Sequence, residues 1–429
     1  MARVKQTLFK FKPFSVKQKK VLTWWLPESP VNDKDGIIAD GSIRSGKTVS
    51  MALSFVMWAM SSFEEQNFAM CGKTIGSFRR NVLAVLKLML ASRGYKLKDH
   101  RADNYIEISY KGITNYFYIF GGKDERSQDL IQGITLAGVL FDEVALMPES
   151  FVNQATGRCS VDGSKFWFNC NPDGPYHWFK TEWIDRVKEK NILYLHFTME
   201  DNLSLTEKIR QRYASLYSGV FFQRYILGLW VVAEGVIYDM FSEAKHIISS
   251  VTSNPAAKYY VSCDYGTQNA TVFLLWESGS DGKWYCIDEY YYSGRDESTQ
   301  KTDNAYADDL EAFIAGRKIE AIVIDPSAAS FIAELRERGH RIKKARNDVL
   351  DGIRFVGMLL NTEKIYFHRK CTNTIKEFNS YVWDTKASEK QGEDKPLKQH
   401  DHAMDAVRYF CYTIIYKSQP KIKTFKGGI

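Results

Sequence analysis

The chain has no apolar run approaching the roughly eighteen residues that a membrane-crossing helix needs, so no membrane partner is expected. Its seven cysteines stand at 71, 159, 170, 263, 286, 371 and 411, with no Cys-x-x-Cys pair among them. An odd, scattered set argues against a zinc site or a disulfide framework. Several fall inside apolar runs, where a free thiol behaves as a small hydrophobe, and a reducing cytosol is expected. Residues 1–20 are basic but lack the apolar core and small-residue cleavage site of a secretory signal, so none is expected. Internal repeats and long low-complexity tracts are absent. Charge of either sign is in small excess only: 58 Lys and Arg face 51 Asp and Glu, a formal +7. That balance permits a polyanionic partner without demanding one.

What is present is a chain of 429 residues, 45% hydrophobic and 25% charged. These are the proportions of a folded protein, at a length that exceeds what one core usually supports. The pattern weakens near residues 242–257, where Ser249, Ser250, Thr252, Ser253, Asn254 and Pro255 cluster. The expected division is a first domain over residues 1–245, a linker over 246–257 and a second domain over 258–429. Residues 417–429 form a basic tail.

The first domain is organised around Gly41, Ser42, Ile43, Arg44, Ser45, Gly46, Lys47 and Thr48. An apolar run precedes this stretch, and residues 49–60 follow with helical spacing. That is the strand, glycine-rich loop and helix of a phosphate-binding loop. The glycines let successive N–H groups turn inward to cradle a triphosphate at the positive end of the helix. Lys47 is expected to reach the β- and γ-phosphates, and the Thr48 hydroxyl to hold Mg²⁺. Arg44 is either an arginine finger acting within its own chain or an arginine paired with a nearby carboxylate. Upstream, Phe11, Phe14, Trp24 and Trp25 surround Gln18. These residues either sandwich adenine and read its Watson–Crick edge or form an apolar staple on the first helix.

Residues 138–143 run Gly-Val-Leu-Phe-Asp-Glu. A continuously apolar strand is one buried on both faces of a parallel sheet, and ligands bind where such strands end. Asp142 is expected to hold the Mg²⁺ through water, and Glu143 to be the general base toward the attacking water. Residues 166–172 repeat the design, with Asn171-Pro172 at the end. Asn171 either hydrogen-bonds the γ-phosphate or attacking water or opens a turn. Helices are expected over 77–90 and 206–227, and strands over 105–110 and 116–120. Arg79, Arg80 and Arg126 are expected at the surface.

The second half follows a different order. A strand ends in Asp264, two further strands make an antiparallel meander, a helix spans about 303–314, and a buried strand ends in Asp325. A helix over 331–338 and a strand over 342–344 follow. The last helix opens near Asp401 and His402, with Asp405 one turn on and therefore on the face of Asp401. This is the layout of a ribonuclease-H-like nuclease, in which several carboxylates gather hard divalent cations about 4 Å apart. Singly, each acid is equally a cap or a solvated strand end. Together Asp264, Asp325 and Asp405 point to a metal cluster, with Asp401 and His402 as auxiliary ligands.

With these motifs assembled, GSIRSGKT (41–48), VLFDE (139–143), NCNP (169–172), SCDYG (262–266), IVIDPS (322–327) and DHAMDAVRY (401–409), nearly the whole chain resembles the large terminase subunits of tailed double-stranded DNA phages and related prophages. The resemblance implies an α/β protein: an N-terminal P-loop ATPase of the ASCE type with a mostly parallel sheet, and a C-terminal ribonuclease-H-like mixed-sheet nuclease. It implies ATP and Mg²⁺ in the first domain and two Mg²⁺ or Mn²⁺ ions in the second. It implies double-stranded DNA, a procapsid portal protein and a small terminase subunit as partners, a homo-oligomeric ring on the portal, and work in the host cell cytoplasm. By the family's pattern Lys47, Thr48, Asp142, Glu143 and Asn171 look like motor residues, and Arg44 like the loop arginine. Asp264, Asp325 and Asp405 look like nuclease acids. Some members have threonine where Asn169 stands here, two residues before the Asn-Pro pair. A helicase-like repair ATPase whose second half only binds DNA competes with this reading, but it has no use for carboxylates facing a polyanion.

Overall fold

The computed structural model describes residues 9, 11–251, 254–266, 270–293, 300–399 and 401–416. The basic tail over 417–429 lies outside them.

The first half builds an eight-stranded sheet from β1 (Gly36–Gly41), β2 (Asn67–Gly72), β3 (Lys96–His100), β4 (Tyr105–Tyr110), β5 (Ile113–Gly121), β6 (Gly138–Asp142), β7 (Lys165–Asn169) and β8 (Ile192–Phe197). The order is β3-β4-β5-β2-β6-β7-β1-β8, and every pair is parallel except β3–β4 and β4–β5. The continuous apolar runs become the buried centre, with β1 and β6 covered along their whole length. The turn between β4 and β5 uses left-handed Lys111 and Gly112. α1 (Val16–Thr23) and α2 (Lys47–Ser62) cover one face. There Phe55 and Trp58 of α2 meet Phe68, Phe117 and Trp167. On the opposite face Phe141, Phe168, Phe179 and Trp183 pack together.

Strand β7 lies between β1 and β6. Its polar end therefore falls between the glycine-rich loop and Asp142-Glu143, three motifs separated in sequence but adjacent at one sheet edge.

The second half forms a seven-stranded mixed sheet from β9 (Ile247–Ile248), β10 (Tyr259–Asp264), β11 (Ala270–Ser278), β12 (Trp284–Ser293), β13 (Ile319–Ile324), β14 (Ile342–Lys344) and β15 (Ile365–His368), in the order β14-β13-β10-β11-β12-β15-β9. The antiparallel meander β10–β11–β12 is as the sequence pattern predicts. β13 runs parallel to β10, so Asp264 and Asp325 emerge at the same edge. The helix His402–Phe410 packs over β10 and β11. Its Phe410 stacks on Trp276 with ring centroids 4.3 Å apart, a contact whose truncation costs about 3–5 kcal/mol.

Several elements differ from expectation. The helix expected over 206–227 is two, Glu207–Ala214 and Gly219–Tyr225, interrupted where Gly219 takes a φ of +51°. The helical stretch over 77–90 carries a wide turn at Arg79–Leu83. β3 has no strong alternation, because an edge strand buries little. In the stretch 246–257, Ile247 and Ile248 pair with β15, while residues 252 and 253 lie outside the described set. Upstream, Ala233, Ile237 and Tyr238 are already buried in the core of the second sheet.

Candidate nucleotide and nuclease sites

At the first site the loop geometry follows from its glycines. Gly41 has φ +123°, and a Cβ there would stand 1.9 Å from the Phe197 carbonyl oxygen of β8. Gly46, φ +86°, begins α2 in a left-handed conformation. The Lys47 ammonium is buried and donates to the carbonyls of Gly41 (3.0 Å) and Ser42 (2.7 Å), to Ser45 Oγ (3.2 Å) and to Asn171 Oδ1 (3.3 Å). Burial pushes its pKa down, against the pull of Glu143 and other acids. Ser42 Oγ is buried with no hydrogen-bond partner among the described residues. A cradle of loop groups with one unsatisfied hydroxyl fits an anionic ligand. Ile43 donates its N–H to the Tyr225 carbonyl, anchoring the loop from the far side.

The acids meet the loop across β7. Thr48 Oγ1 donates to Asp142 Oδ1 at 3.1 Å, and Asn169 Nδ2 donates to the same oxygen at 3.0 Å. Hydroxyl and carboxylate oxygens are the donors Mg²⁺ prefers, and Thr48 and Asp142 fit it. Asn171 Nδ2 donates to both carboxylate oxygens of Glu143, at 3.1 and 2.9 Å. Glu143 itself is left-handed, at φ +60°. Burial, and then the neighbouring Asp142, push its carboxyl up to about 7. Asp142 is also raised by burial, opposed by Asn169, Thr48 and Lys47.

The two remaining expected residues sit beside this group. Arg44 directs its guanidinium over the Tyr213 ring, 5.2 Å from the centroid. Gln18 is buried in a capping box with Ser15, and its Nε2 lies against Gly46, 2.3 Å from where a Cβ would be. The sequence marks Asn169 only as a departure from the family's pattern, and it does not single out Asp40. Asn169 links Asp142 to the Glu143 backbone, and Asp40, fully buried, binds His196 Nδ1 (3.0 Å) and Trp230 Nε1 (2.7 Å) behind the loop.

At the second site His402 Nδ1 stands 2.9 Å from Asp264 Oδ2. Burial raises the Asp264 carboxyl to about 6, with His402 opposing and Asp405 and Asp401 adding to the rise. His402 is raised as well: burial lowers it, but Asp264 and then Asp401 and Glu377 outweigh burial. Asp405 Oδ1 accepts from Arg408 Nη2 at 2.7 Å, and its Oδ2 from Lys398 Nζ at 3.3 Å. Asp325 accepts from the Ser327 N–H (2.8 Å) and Asn347 Nδ2 (3.2 Å). Burial pushes Asp325 up, yet hydrogen bonds from Ser327, Asn347 and Tyr409 leave it below the usual value.

The five expected residues thus share one sheet edge, but among the described residues no three His, Cys, Asp or Glu side chains converge on a single ion position. Lys398, Arg408 and His402 offset the acids instead. Asp401 Oδ2 is buried 3.0 Å from Lys398 Nζ and accepts no hydrogen bond of good geometry. An all-oxygen acid set with an unsatisfied buried oxygen fits a hard divalent cation, provided the lysine moves aside.

Two family models match the chain. One describes the N-terminal part of the T4-like type of terminase large subunit and covers residues 38–245; the other describes the terminase RNase-H-like domain and covers residues 265–411. The large terminase of a thermophilic bacteriophage is 63% identical, covering 94% of this chain and 100% of that one, with a TM-score of 0.88. The same protein in complex with ATP-γ-S is matched at 61% identity over the same shares, with a TM-score of 0.84. The terminase large subunit of Escherichia phage T5 is 27% identical over 297 residues, which is 64% of this chain and 65% of the relative's length.

Proposed function

The chain belongs to the large terminase subunit family, and from that membership we propose that it drives viral double-stranded DNA into a procapsid with ATP and cuts concatemeric DNA with a metal-dependent nuclease. The observation that carries this reading is the pair of acid-bearing sheet edges, one facing a phosphate-binding loop and one on a ribonuclease-H-like sheet. The complex of the thermophilic phage relative with ATP-γ-S supports a nucleotide at the first edge.

In that reading Lys47 exchanges its loop carbonyls for phosphate oxygens, and the loop N–H groups hold the triphosphate. Thr48 and Asp142 would hold Mg²⁺, which neutralises charge on the phosphate oxygens when bound. Glu143, oriented by Asn171, takes the proton of the attacking water. Asn171 touches both Lys47 and Glu143, so it senses the loss of the terminal phosphate at both ends. Arg44 acts as the loop arginine, and Gln18 lies at the adenine end of the loop.

At the second edge Asp264, Asp325 and Asp405 would hold Mg²⁺ or Mn²⁺, two ions by the family's pattern, with Asp401 and His402 as further ligands. Such ions stabilise the charge that builds on a phosphodiester and acidify a bound water. His402 fixes the Asp264 carboxylate, and Arg408 holds Asp405 on the helix face that points to the sheet edge. The partners implied are DNA, the procapsid portal, the small terminase subunit and further copies of this chain in a ring, in the host cytoplasm.

The test is Asp264→Asn in the full chain. Metal-dependent DNA cleavage should disappear while ATP hydrolysis stays within about twofold of the unaltered protein. Cleavage that survives the substitution would remove the nuclease assignment.

A further inference from the structure

Arg224, on the helix Gly219–Tyr225, is only 3% exposed and lies where the two halves of the chain meet. Its Nη1 donates to Asp173 Oδ1 at 2.8 Å and also to Asp394 Oδ2. Its Nε and Nη2 donate to the Val231 carbonyl at 3.1 and 2.6 Å. All three nitrogens are thus committed, so the guanidinium cannot move without carrying its partners. Asp173 is two residues beyond Asn171, in the stretch leaving β7. Asp394 belongs to the stretch that leads to Asp401, and also accepts from Ser388 Oγ at 3.3 Å.

The two stretches are in contact beyond this cation. A Cβ at Gly392, φ +65°, would stand 2.6 Å from the Tyr176 carbonyl oxygen. On the nucleotide side, Asn171 is bonded to Lys47 and Glu143. On the other side the Leu397 N–H donates to the Val382 carbonyl at 2.9 Å. The next residue, Lys398, reaches Asp401 and Asp405. Three charge-assisted groups, at Asn171, at Arg224 and at Lys398, are therefore strung together by two short stretches of chain, 171–173 and 394–398, between the phosphate-binding loop and the second group of acids.

We propose that Arg224 is a positioning residue that makes the stretch 394–398, and with it the Lys398 contact to Asp401 and Asp405, depend on occupancy of the phosphate-binding loop. This regulation rests on the two-site reading above. When Lys47 and Asn171 exchange partners for phosphate, the backbone from 171 to 173 shifts, and Arg224 transmits the shift to Asp394. Lys398 then changes its hold on two carboxylates that a divalent ion also needs. An ammonium on those oxygens competes with any divalent ion that they would hold, so the position of Lys398 would gate the metal. Coupling of this kind is reciprocal, so filling the second site also alters nucleotide affinity.

The experiment is hydrogen exchange on the full chain at fixed Mg²⁺, with and without ATP-γ-S, alongside a direct measurement of ATP-γ-S binding. In the unaltered chain the amides of 394–399 should change exchange rate by at least about threefold on nucleotide binding. Asp173→Asn should bind ATP-γ-S normally and lose that response. Asp394→Asn provides the same test from the other side if Asp173→Asn fails to fold. A purely structural role for Arg224 would raise exchange equally with and without nucleotide, and that result would overturn the proposal. So would a full response in Asp173→Asn, or no response in an unaltered chain that binds ATP-γ-S. Failure of the unaltered chain to bind ATP-γ-S at all would instead sink the nucleotide site, and this coupling with it.

Discussion

Glu143 combines three unusual features: a left-handed backbone, a carboxyl raised to about 7 by burial and by Asp142, and an amide from Asn171 on both oxygens. A base must be ionised to accept a proton. Because the free protein keeps Glu143 protonated up to neutrality, kcat/KM for ATP should rise with pH through an apparent pKa of about 7. Glu143→Gln should flatten that rise and lower kcat by about 100-fold or more. A wild-type profile already level at pH 6 would remove the base assignment. The loop, Asp142 and Glu143 were legible in the sequence because their requirements are local: turns that need glycine, a lysine, a hydroxyl, two acids at a strand end. Asn169 stood out only as a departure from the family's threonine, and Asp40 not at all. Asp40 takes its partner Trp230 from 190 residues away, and no spacing rule announces such a contact.

At the scale of elements, apolar runs and alternation were enough for the central strands, the meander and the final helix. They failed at β3, an exposed edge, and at the break between Ala214 and Gly219, where the backbone reverses on a glycine. They also gave no sign of what holds the final helix in place. Glu377, on the helix Thr372–Ser380, accepts from the N–H groups of Ala403 (2.7 Å) and Met404 (3.1 Å). This is a carboxylate at the positive end of the helix that carries Asp405. Glu377→Ala should cost about 1–3 kcal/mol by leaving those donors unpaired. The expected reading is a midpoint lower by about 2–12 °C and a larger loss of DNA cleavage than of ATP hydrolysis. An unchanged melting curve would show that the cap contributes nothing.

The whole molecule is two sheets with separate aromatic cores, joined by a segment that belongs to both. Ala233, Ile237 and Tyr238 fill the second core, while Trp230 a few residues earlier reaches back to Asp40 behind the phosphate-binding loop. A cluster of Ser, Asn and Pro draws the eye to 249–255, yet burial in the second sheet's core begins some twenty residues earlier. The composition of a surface turn is visible in a sequence, whereas which core an apolar residue enters depends on the packed whole. Arg224 illustrates the same limit, because its partners Asp173 and Asp394 lie 51 and 170 residues away.

The central claim is that two phosphate chemistries run at two separable sites in one chain. Lys47→Ala in the full-length protein, assayed in parallel for ATP hydrolysis and for Mn²⁺-dependent cleavage of DNA, tests it most directly. The account predicts that hydrolysis falls to background while cleavage remains measurable. Loss of both activities in a folded Lys47→Ala protein would contradict it.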